Sequence, residues 1–213
     1  MKRSLMSAML MLLASAAGAN DPITGGNADA GAKLAAPCTA CHGPGGNSSN
    51  PEWPKLAGQS GPYLVEQLKL FKNGVRNNPL MNPQAAGLSE QDMRDLAAYY
   101  ASQDMTPGVA AESAVEVADP LHRAGDPERG LPACSACHGP AGNGNAAAGY
   151  PRLGGQHDTY LANTLRLFRS IDRGDVPMPE NERSDSLKIM LSVAGKLTDA
   201  EIDALASYFQ GLQ

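Results

Sequence analysis

The sequence predicts an all-α protein built from two tandem, homologous domains. Two observations carry this prediction: a unit of about 100 residues recurs along the chain, and each copy spaces its apolar residues as amphipathic helices do. No stretch shows the alternation of a strand. Aromatic residues make up only 5% of the 213 residues. Small domains with so few aromatic side chains need a staple, a metal or a large cofactor to complete their cores.

The chain begins with a predicted signal peptide at residues 1–19. Lys2 and Arg3 supply the positive charges, an apolar run follows, and Ala17-Gly18-Ala19 fits a small-residue cleavage site. The apolar run is too short to span a bilayer. We expect a mature chain that starts at Asn20, has no transmembrane segment and is exported to the periplasm.

The charge balance argues against nucleic acid as a partner. Without residues 1–19 the chain keeps 15 basic and 22 acidic residues, a net charge of −7, and the acidic residues are spread along it. A nucleic-acid binder would present a basic stripe. A mildly acidic surface suits solubility and weak docking to a basic patch on a partner protein, and it leaves peripheral association with a membrane open.

The internal repeat defines the domains. The first two matches are offset by 96 and 97 residues and the third by 109, which places a 12-residue insertion in the second copy between Ile171 and Lys188. The matching segments are Cys38–Pro44 with Cys134–Pro140, Trp53–Gln59 with Tyr150–Gln156, and Leu88–Tyr100 with Leu197–Phe209. We predict a first domain at 20–106, a second at 122–213, and a linker without a helical stripe at 107–121.

Each domain is predicted to close with a capped amphipathic helix. Ser89 is the expected N-cap of the first closing helix, and Thr198 with Glu201 forms a capping box for the second. An earlier helix is predicted at 63–73, where Gly74 stops it. The apolar stripes of the closing helices are Met93, Leu96, Ala97 and Tyr100, and Ile202, Leu205, Ala206 and Phe209.

The motif that carries chemistry is Cys-x-x-Cys-His, which occurs once in each copy and uses all four cysteines: Cys38, Cys41 and His42, and Cys134, Cys137 and His138. This motif attaches c-type haem: two thiols on one turn bond to one haem, and the adjacent imidazole lies under the iron. A thioredoxin-like site would need a βαβ context, and zinc would not require His after the second Cys. Disulfides would give the histidines no role. We therefore predict two covalently bound haems.

Methionine is the expected second axial ligand of each iron, because His/Met ligation is typical of cytochromes c of high potential. Met81 lies seven residues before Leu88, and Met190 lies seven before Leu197, so both are predicted in a loop ahead of the closing helix. Met178, in the insertion, is the alternative to Met190.

Residues around the histidines carry weaker expectations. Pro54 and Pro151 follow His42 and His138 by 12 and 13 residues, and their carbonyls could accept from the second ring nitrogen; ordinary turn prolines are the alternative. Of the other histidines, His122 is expected to be solvated at the linker end. His157 is expected at the start of a helix, where its side chain either caps the helix or lies beside a haem propionate.

With these motifs in view, the sequence resembles the diheme class I cytochromes c of the cytochrome c4 family over essentially the whole mature chain. The resemblance rests on both Cys-x-x-Cys-His-Gly motifs, on Pro-Lys-Leu-Ala-Gly-Gln and Pro-Arg-Leu-Gly-Gly-Gln-His, and on the two Met-to-Leu closings. It implies two cytochrome c-like domains with their haem edges close together. It also implies the axial pairs His42 with Met81 and His138 with Met190.

The resemblance implies an electron carrier in a respiratory chain rather than an enzyme. Its redox partners would be a respiratory donor and a terminal oxidase or reductase. Two other functions stay open from the sequence: the haem subunit of a periplasmic dehydrogenase, or a haem enzyme or sensor with one open coordination position. A sensor would need an output domain, and none is left after both domains are assigned.

Overall fold

A computed structural model describes residues 21–213 of the chain, so the predicted signal peptide and its cleavage site lie outside the described residues. The described part forms two helical lobes. Its extended pairing includes the isolated antiparallel bridges of Asp126 with Leu131 and of Asn145 with Tyr150. The all-α prediction is confirmed. No helix among residues 21–213 is long and apolar enough to cross a membrane.

The first lobe packs its first helix along its last, and its third helix covers both the last helix and the short fourth one. Leu64, Leu96 and Tyr100 lie in its buried core. The helices are α1 (Ala28–Leu34), α2 (Ala36–His42), α3 (Gly61–Lys72), α4 (Met81–Ala86) and α5 (Glu90–Ala101).

The second lobe repeats this arrangement around a larger core. Its first helix packs on its last, and α8 packs on both α9 and α10. Leu161, Ile202 and Leu205 belong to the buried cluster. The helices are α6 (Glu112–Arg123), α7 (Ser135–His138), α8 (Asp158–Asp172), α9 (Asp185–Gly195) and α10 (Asp199–Gly211).

Both closing helices begin with the predicted caps. Ser89 Oγ accepts from Asp92 N at 3.1 Å while Ser89 N donates to the Asp92 carboxylate at 2.8 Å. Thr198 and Glu201 form the same reciprocal pair, at 3.2 and 2.9 Å. Each cap satisfies amides that a helix start leaves without partners, which fixes where α5 and α10 begin.

The prediction of a linker without helical character at 107–121 is wrong, because α6 occupies most of it. Ala114 and Ala118 are buried in the core of the second lobe. They lie four residues apart on one helix face and are small enough for α6 to approach α10 closely. Leu121 continues this face at the helical spacing, so the sequence does carry an apolar stripe, although Pro120 inside the helix is a residue that usually ends one.

His122 is a second correction: it is not solvated but 0% exposed. Its Nε2 donates to Pro140 O at 3.0 Å, and its ring lies against Tyr208 and Phe209. The burial follows from α6, because the helix turns this side chain toward α10 rather than toward solvent.

The extra residues of the second copy are distributed rather than inserted as one loop. Helix α8 has 15 residues against 12 in α3, and α9 has 11 against 6 in α4. The connection between α8 and α9 covers residues 173–184 in the second lobe, and the connection between α3 and α4 covers residues 73–80 in the first. Part of the added length is therefore folded into helices that pack on the lobe.

Candidate haem-binding sites

Each attachment motif is a single helical turn. Cys38, Cys41 and His42 lie on α2. In the second lobe Cys134 is the N-cap of α7, and His138 is its last residue. A spacing of three positions on a helix places both thiols on one face.

A glycine ends the turn in each lobe. Gly43 has φ 75°, and a β-carbon there would lie 2.2 Å from Asn47 O. The chain can therefore turn away directly behind His42 only because position 43 has no side chain.

No disulfide joins the four cysteines, which all lie within the described residues; Cys41 is exposed and the others are half-buried. Burial raises the pKa of Cys38 and raises that of Cys134 to about 11. Reactive redox cysteines have lowered pKa values, so the raised values of Cys38 and Cys134 are opposite to those of a thioredoxin-like site. In the described part of the chain no three His, Cys, Asp or Glu side chains come together as a metal-ion site.

The two motif histidines are buried and held in the same way. His42 is 7% exposed and His138 is 4% exposed. The Nδ1 of His42 lies 2.8 Å from Pro54 O, and the Nδ1 of His138 lies 2.9 Å from Pro151 O. Since a carbonyl can only accept, Nδ1 carries the proton and Nε2 keeps its lone pair. The expectation that both proline carbonyls accept from the histidines is confirmed.

The environment of both histidines favours the neutral ring. Burial lowers the pKa of His42 and of His138, against the opposing effect of the proline carbonyls. A neutral imidazole with a fixed tautomer and a free Nε2 is the form that binds a metal. Two thiols and one such nitrogen on a single turn fit a covalently attached haem in each lobe.

The methionines lie on helices, which corrects the prediction of a loop. Met81 is the first residue of α4, with its backbone amide bonded to Asn78 Oδ1 at 3.0 Å. Met190 lies within α9. Both side chains are half-buried, as is that of Met178 in the connection before α9. Met93, by contrast, is 1% exposed and fills the core of the first lobe.

The lobes contact each other through repeat-related residues. Gln59 of the first lobe bonds the backbone of Arg152, and Gln156 of the second bonds the backbone of Lys55. The ammonium of Lys55 donates across the interface to Gly155 O at 3.1 Å. These residues were not predicted as functional, although their shared offset of 97 in the sequence was a usable signal.

His157 belongs to the same interface. It is the N-cap residue of α8 but makes no side-chain cap bond. Its Nε2 instead lies 2.9 Å from both Ser48 O and Ser48 Oγ in the first lobe. The expectation of a helix cap is therefore wrong for its side chain, which ties the two lobes together.

Fold and site together define a c-type cytochrome with two tandem haem domains, and comparison with known proteins agrees. The cytochrome c family model matches residues 28–104 and 132–213. A cytochrome c4 from Pseudomonas aeruginosa is 46% identical over 187 residues, which cover 88% of this chain and 89% of that protein.

A solved structure and a second type of relative extend this result. The reduced recombinant cytochrome c4 from Pseudomonas stutzeri superposes with a TM-score of 0.80 at 42% identity, covering 88% of this chain and 100% of that one. A protein named thiosulfate dehydrogenase electron acceptor, from Thiomonas intermedia, is 36% identical over 82% of this chain and 77% of its own length.

The chain belongs to the cytochrome c family and, within it, to the diheme cytochromes c4. It carries two covalently bound c-type haems and transfers electrons; it is a carrier and not an enzyme.

Proposed function

We propose that this cytochrome is a periplasmic shuttle in a respiratory chain, in which both irons have two protein ligands. The bound haem supplies one-electron exchange at its iron, and the protein sets how readily that exchange occurs. The attachment residues are Cys38 and Cys41, and Cys134 and Cys137. The axial pairs are His42 with Met81 and His138 with Met190.

The observation that carries this proposal is the duplicated histidine environment. In both lobes a buried ring follows two cysteines on the same turn and keeps Nε2 unprotonated, while a proline carbonyl at 2.8 or 2.9 Å from Nδ1 fixes the ring. Two sites with the same orientation and the same neutral tautomer suit two haems of one kind. If Met81 and Met190 bind the irons together with the histidines, neither haem would offer a coordination position to a substrate.

The choice of Met81 and Met190 is supported by their equivalent places in the repeat. Each lies on the helix that precedes the closing helix of its lobe, seven residues before Leu88 or Leu197. Both side chains are half-buried, so their sulfurs are not committed to the core as that of Met93 is. Met178 lies 97 residues after Met81, the offset of the Trp53 and Tyr150 segments, but it stands in the connection before α9 and not on the helix that precedes the closing helix.

The first experiment is a visible spectrum of the reduced protein with and without carbon monoxide. A c-type spectrum that carbon monoxide leaves unchanged is expected, because both irons are capped. A change in about half of the haem would identify one open iron. That result would support a haem enzyme or sensor site in that lobe in place of the electron carrier.

Partner and compartment are proposed on separate grounds. The predicted signal peptide supports the periplasm, and the acidic mature chain supports docking to a basic patch on a donor or on a terminal oxidase or reductase. We expect membranes that contain the oxidase to oxidise the reduced protein, and we expect added salt to slow this oxidation. Unchanged rates across ionic strength would contradict electrostatic docking.

A second candidate is electron acceptance from a periplasmic dehydrogenase. It is favoured by the similarity to the electron acceptor of thiosulfate dehydrogenase from Thiomonas intermedia. Rapid reduction of the oxidised protein by a thiosulfate dehydrogenase and thiosulfate, but not by thiosulfate alone, would make this the donor.

A further inference from the structure

Two glutamines, one from each lobe, bind the backbone of the opposite lobe in the same way. Gln156 accepts from Lys55 N at 2.8 Å through Oε1 and donates to Lys55 O at 2.8 Å through Nε2. Gln59 accepts from Arg152 N at 2.7 Å and donates to Arg152 O at 3.0 Å. Gln59 is 5% and Gln156 2% exposed, so water does not compete for these bonds.

Each glutamine reaches a peptide group that already holds a haem-binding histidine. The carbonyl of Pro54 and the N–H of Lys55 are two ends of one planar peptide unit. That carbonyl accepts from His42 Nδ1 at 2.8 Å, and that N–H donates to Gln156. A continuous hydrogen-bond chain therefore runs from His42 through one peptide unit to a side-chain amide of the other lobe.

The second lobe has the same chain in the opposite direction. His138 Nδ1 donates to Pro151 O at 2.9 Å, and the N–H of the next residue, Arg152, donates to Gln59 at 2.7 Å. Each glutamine side chain also accepts a hydrogen bond from the backbone amide of the residue that follows it. Ser60 N donates to Gln59 Oε1 at 2.8 Å, and His157 N donates to Gln156 Oε1 at 3.0 Å.

Such a chain affects the ligand at its end. When a peptide N–H binds an acceptor, its own carbonyl becomes a stronger acceptor, because linked hydrogen bonds polarise one another. A stronger acceptor at Nδ1 makes the imidazole more basic at Nε2. A more basic axial ligand favours ferric over ferrous iron and so lowers the reduction potential. Hydrogen bonds to an axial ligand are one of the ways in which proteins set the potential of a haem.

We infer that Gln156 tunes the haem of the first lobe and Gln59 tunes the haem of the second, so that each lobe sets part of the other's reduction potential. Both glutamines are positioning residues that act through the proline peptide. The inference rests on the proposed function, in which His42 and His138 bind the irons.

The test uses the diheme protein with Gln156→Met and, separately, Gln59→Met, which keep the side-chain length and remove the amide. Potentiometric titration should show the first-lobe midpoint raised by Gln156→Met, with the second-lobe midpoint unchanged, and the reverse for Gln59→Met. We expect about a threefold change in the ferric-to-ferrous ratio at fixed potential, or about 28 mV at about 59 mV per tenfold.

Each variant is the control for the other. If the glutamines only held the lobes together, either substitution would move both midpoints or neither. The inference would be overturned by any of three results: equal shifts of both midpoints, a shifted midpoint only in the glutamine's own lobe, or no shift of either midpoint. Gln156→Leu and Gln59→Leu provide a second pair if a methionine variant does not retain both haems.

Nuclear magnetic resonance of the reduced protein shows which histidine each glutamine affects, and this result does not depend on the methionine ligands. The Nδ1 proton of His42 should shift in Gln156→Met, and that of His138 in Gln59→Met. If Met81→Ala and Met190→Ala leave both midpoints unchanged, the proposed sulfur ligands fail. The crossed pattern at the two histidines still decides whether the glutamines act across the interface.

Discussion

The two lobes agree closely around the attachment motif and differ in the segment that bears the methionine. The bonds from His42 to Pro54 O and from His138 to Pro151 O have nearly equal lengths, 2.8 and 2.9 Å. The methionine helix, in contrast, has 6 residues in the first lobe and 11 in the second. The histidine side must deliver one carbonyl to one ring nitrogen and tolerates little change. In the proposed ligation the methionine side has only to bring one flexible thioether to the iron, which would accommodate the added helix and connection.

The largest expected effect tests this contrast at the sulfur ligands. Met81→Ala should lower the midpoint of the first-lobe haem, and Met190→Ala that of the second-lobe haem, because loss of a thioether ligand removes stabilisation of ferrous iron. The shift should be on the order of 0.2 V, a part of the range that axial ligands span. Potentiometric titration measures it, and carbon monoxide should then bind the altered haem only.

The matched control is Met178→Ala, which only the second lobe offers. It should leave both midpoints and the carbon monoxide response unchanged. If Met178→Ala lowers the second midpoint and Met190→Ala does not, the longer connection, and not α9, delivers the ligand to the second iron.

Much of the attachment side could be predicted from the sequence, because its signals are local. The Cys-x-x-Cys-His turns, the caps at Ser89 and Thr198, and the carbonyls of Pro54 and Pro151 each depend on residues close to one another along the chain. Short-range geometry and hydrogen-bonding rules suffice for such features.

What was missed depends on contacts between distant residues. Helix α6 is the exception, because Ala114, Ala118 and Leu121 recur at i, i+4 and i+7 and form an apolar face that the sequence itself shows. The helical placement of Met190 required packing of α9 on α8. Gln59 and Gln156 matched in the repeat, but the repeat could not show that each bonds the other lobe's backbone.

A smaller effect, on the free energy of unfolding, is expected from substitutions in the first helix of each lobe. Gly31 of α1 lies against α5, where a β-carbon would stand 2.0 Å from Asp95 O. In the second lobe the buried residues of the corresponding helix, α6, include Ala118, which is 0% exposed. Gly31→Ala should therefore destabilise the protein by about 2–3 kcal/mol despite the better helix propensity of alanine, since the backbone of α5 must shift.

The paired variant is Ala118→Gly, which should cost about 1–2 kcal/mol from lost helix propensity and one buried methyl group. Denaturant titration measures both free energies of unfolding. Hydrogen exchange should show faster opening of α1 and α5 in the first variant and of α6 and α10 in the second. A Gly31→Ala protein as stable as the parent would mean that α1 does not approach α5 as closely as described.

The smallest expected difference lies at the two capping boxes. Glu201 is bonded by its own N-cap and also by Arg129, at 2.7 and 3.1 Å, whereas Asp92 bonds only Ser89 among the described contacts of its side chain. The Arg129 guanidinium lowers the pKa of Glu201, and the Ser89 hydroxyl lowers that of Asp92.

A carboxylate whose pKa is lowered by folding stabilises the native state fully above its unfolded pKa, about 4.3 for Glu. That contribution is lost as the pH falls through the lower, folded value. Glu201→Gln should therefore reduce the free energy of unfolding at pH 7 by less than about 1 kcal/mol, given solvent screening, and should flatten its decline in acid. Guanidinium titrations across this range, with Asp92→Asn as the comparison, measure both effects. Because Asp92 lacks an arginine partner, its variant should change the acid slope less. A larger change from Asp92→Asn would mean that the hydroxyl, and not Arg129, dominates these caps.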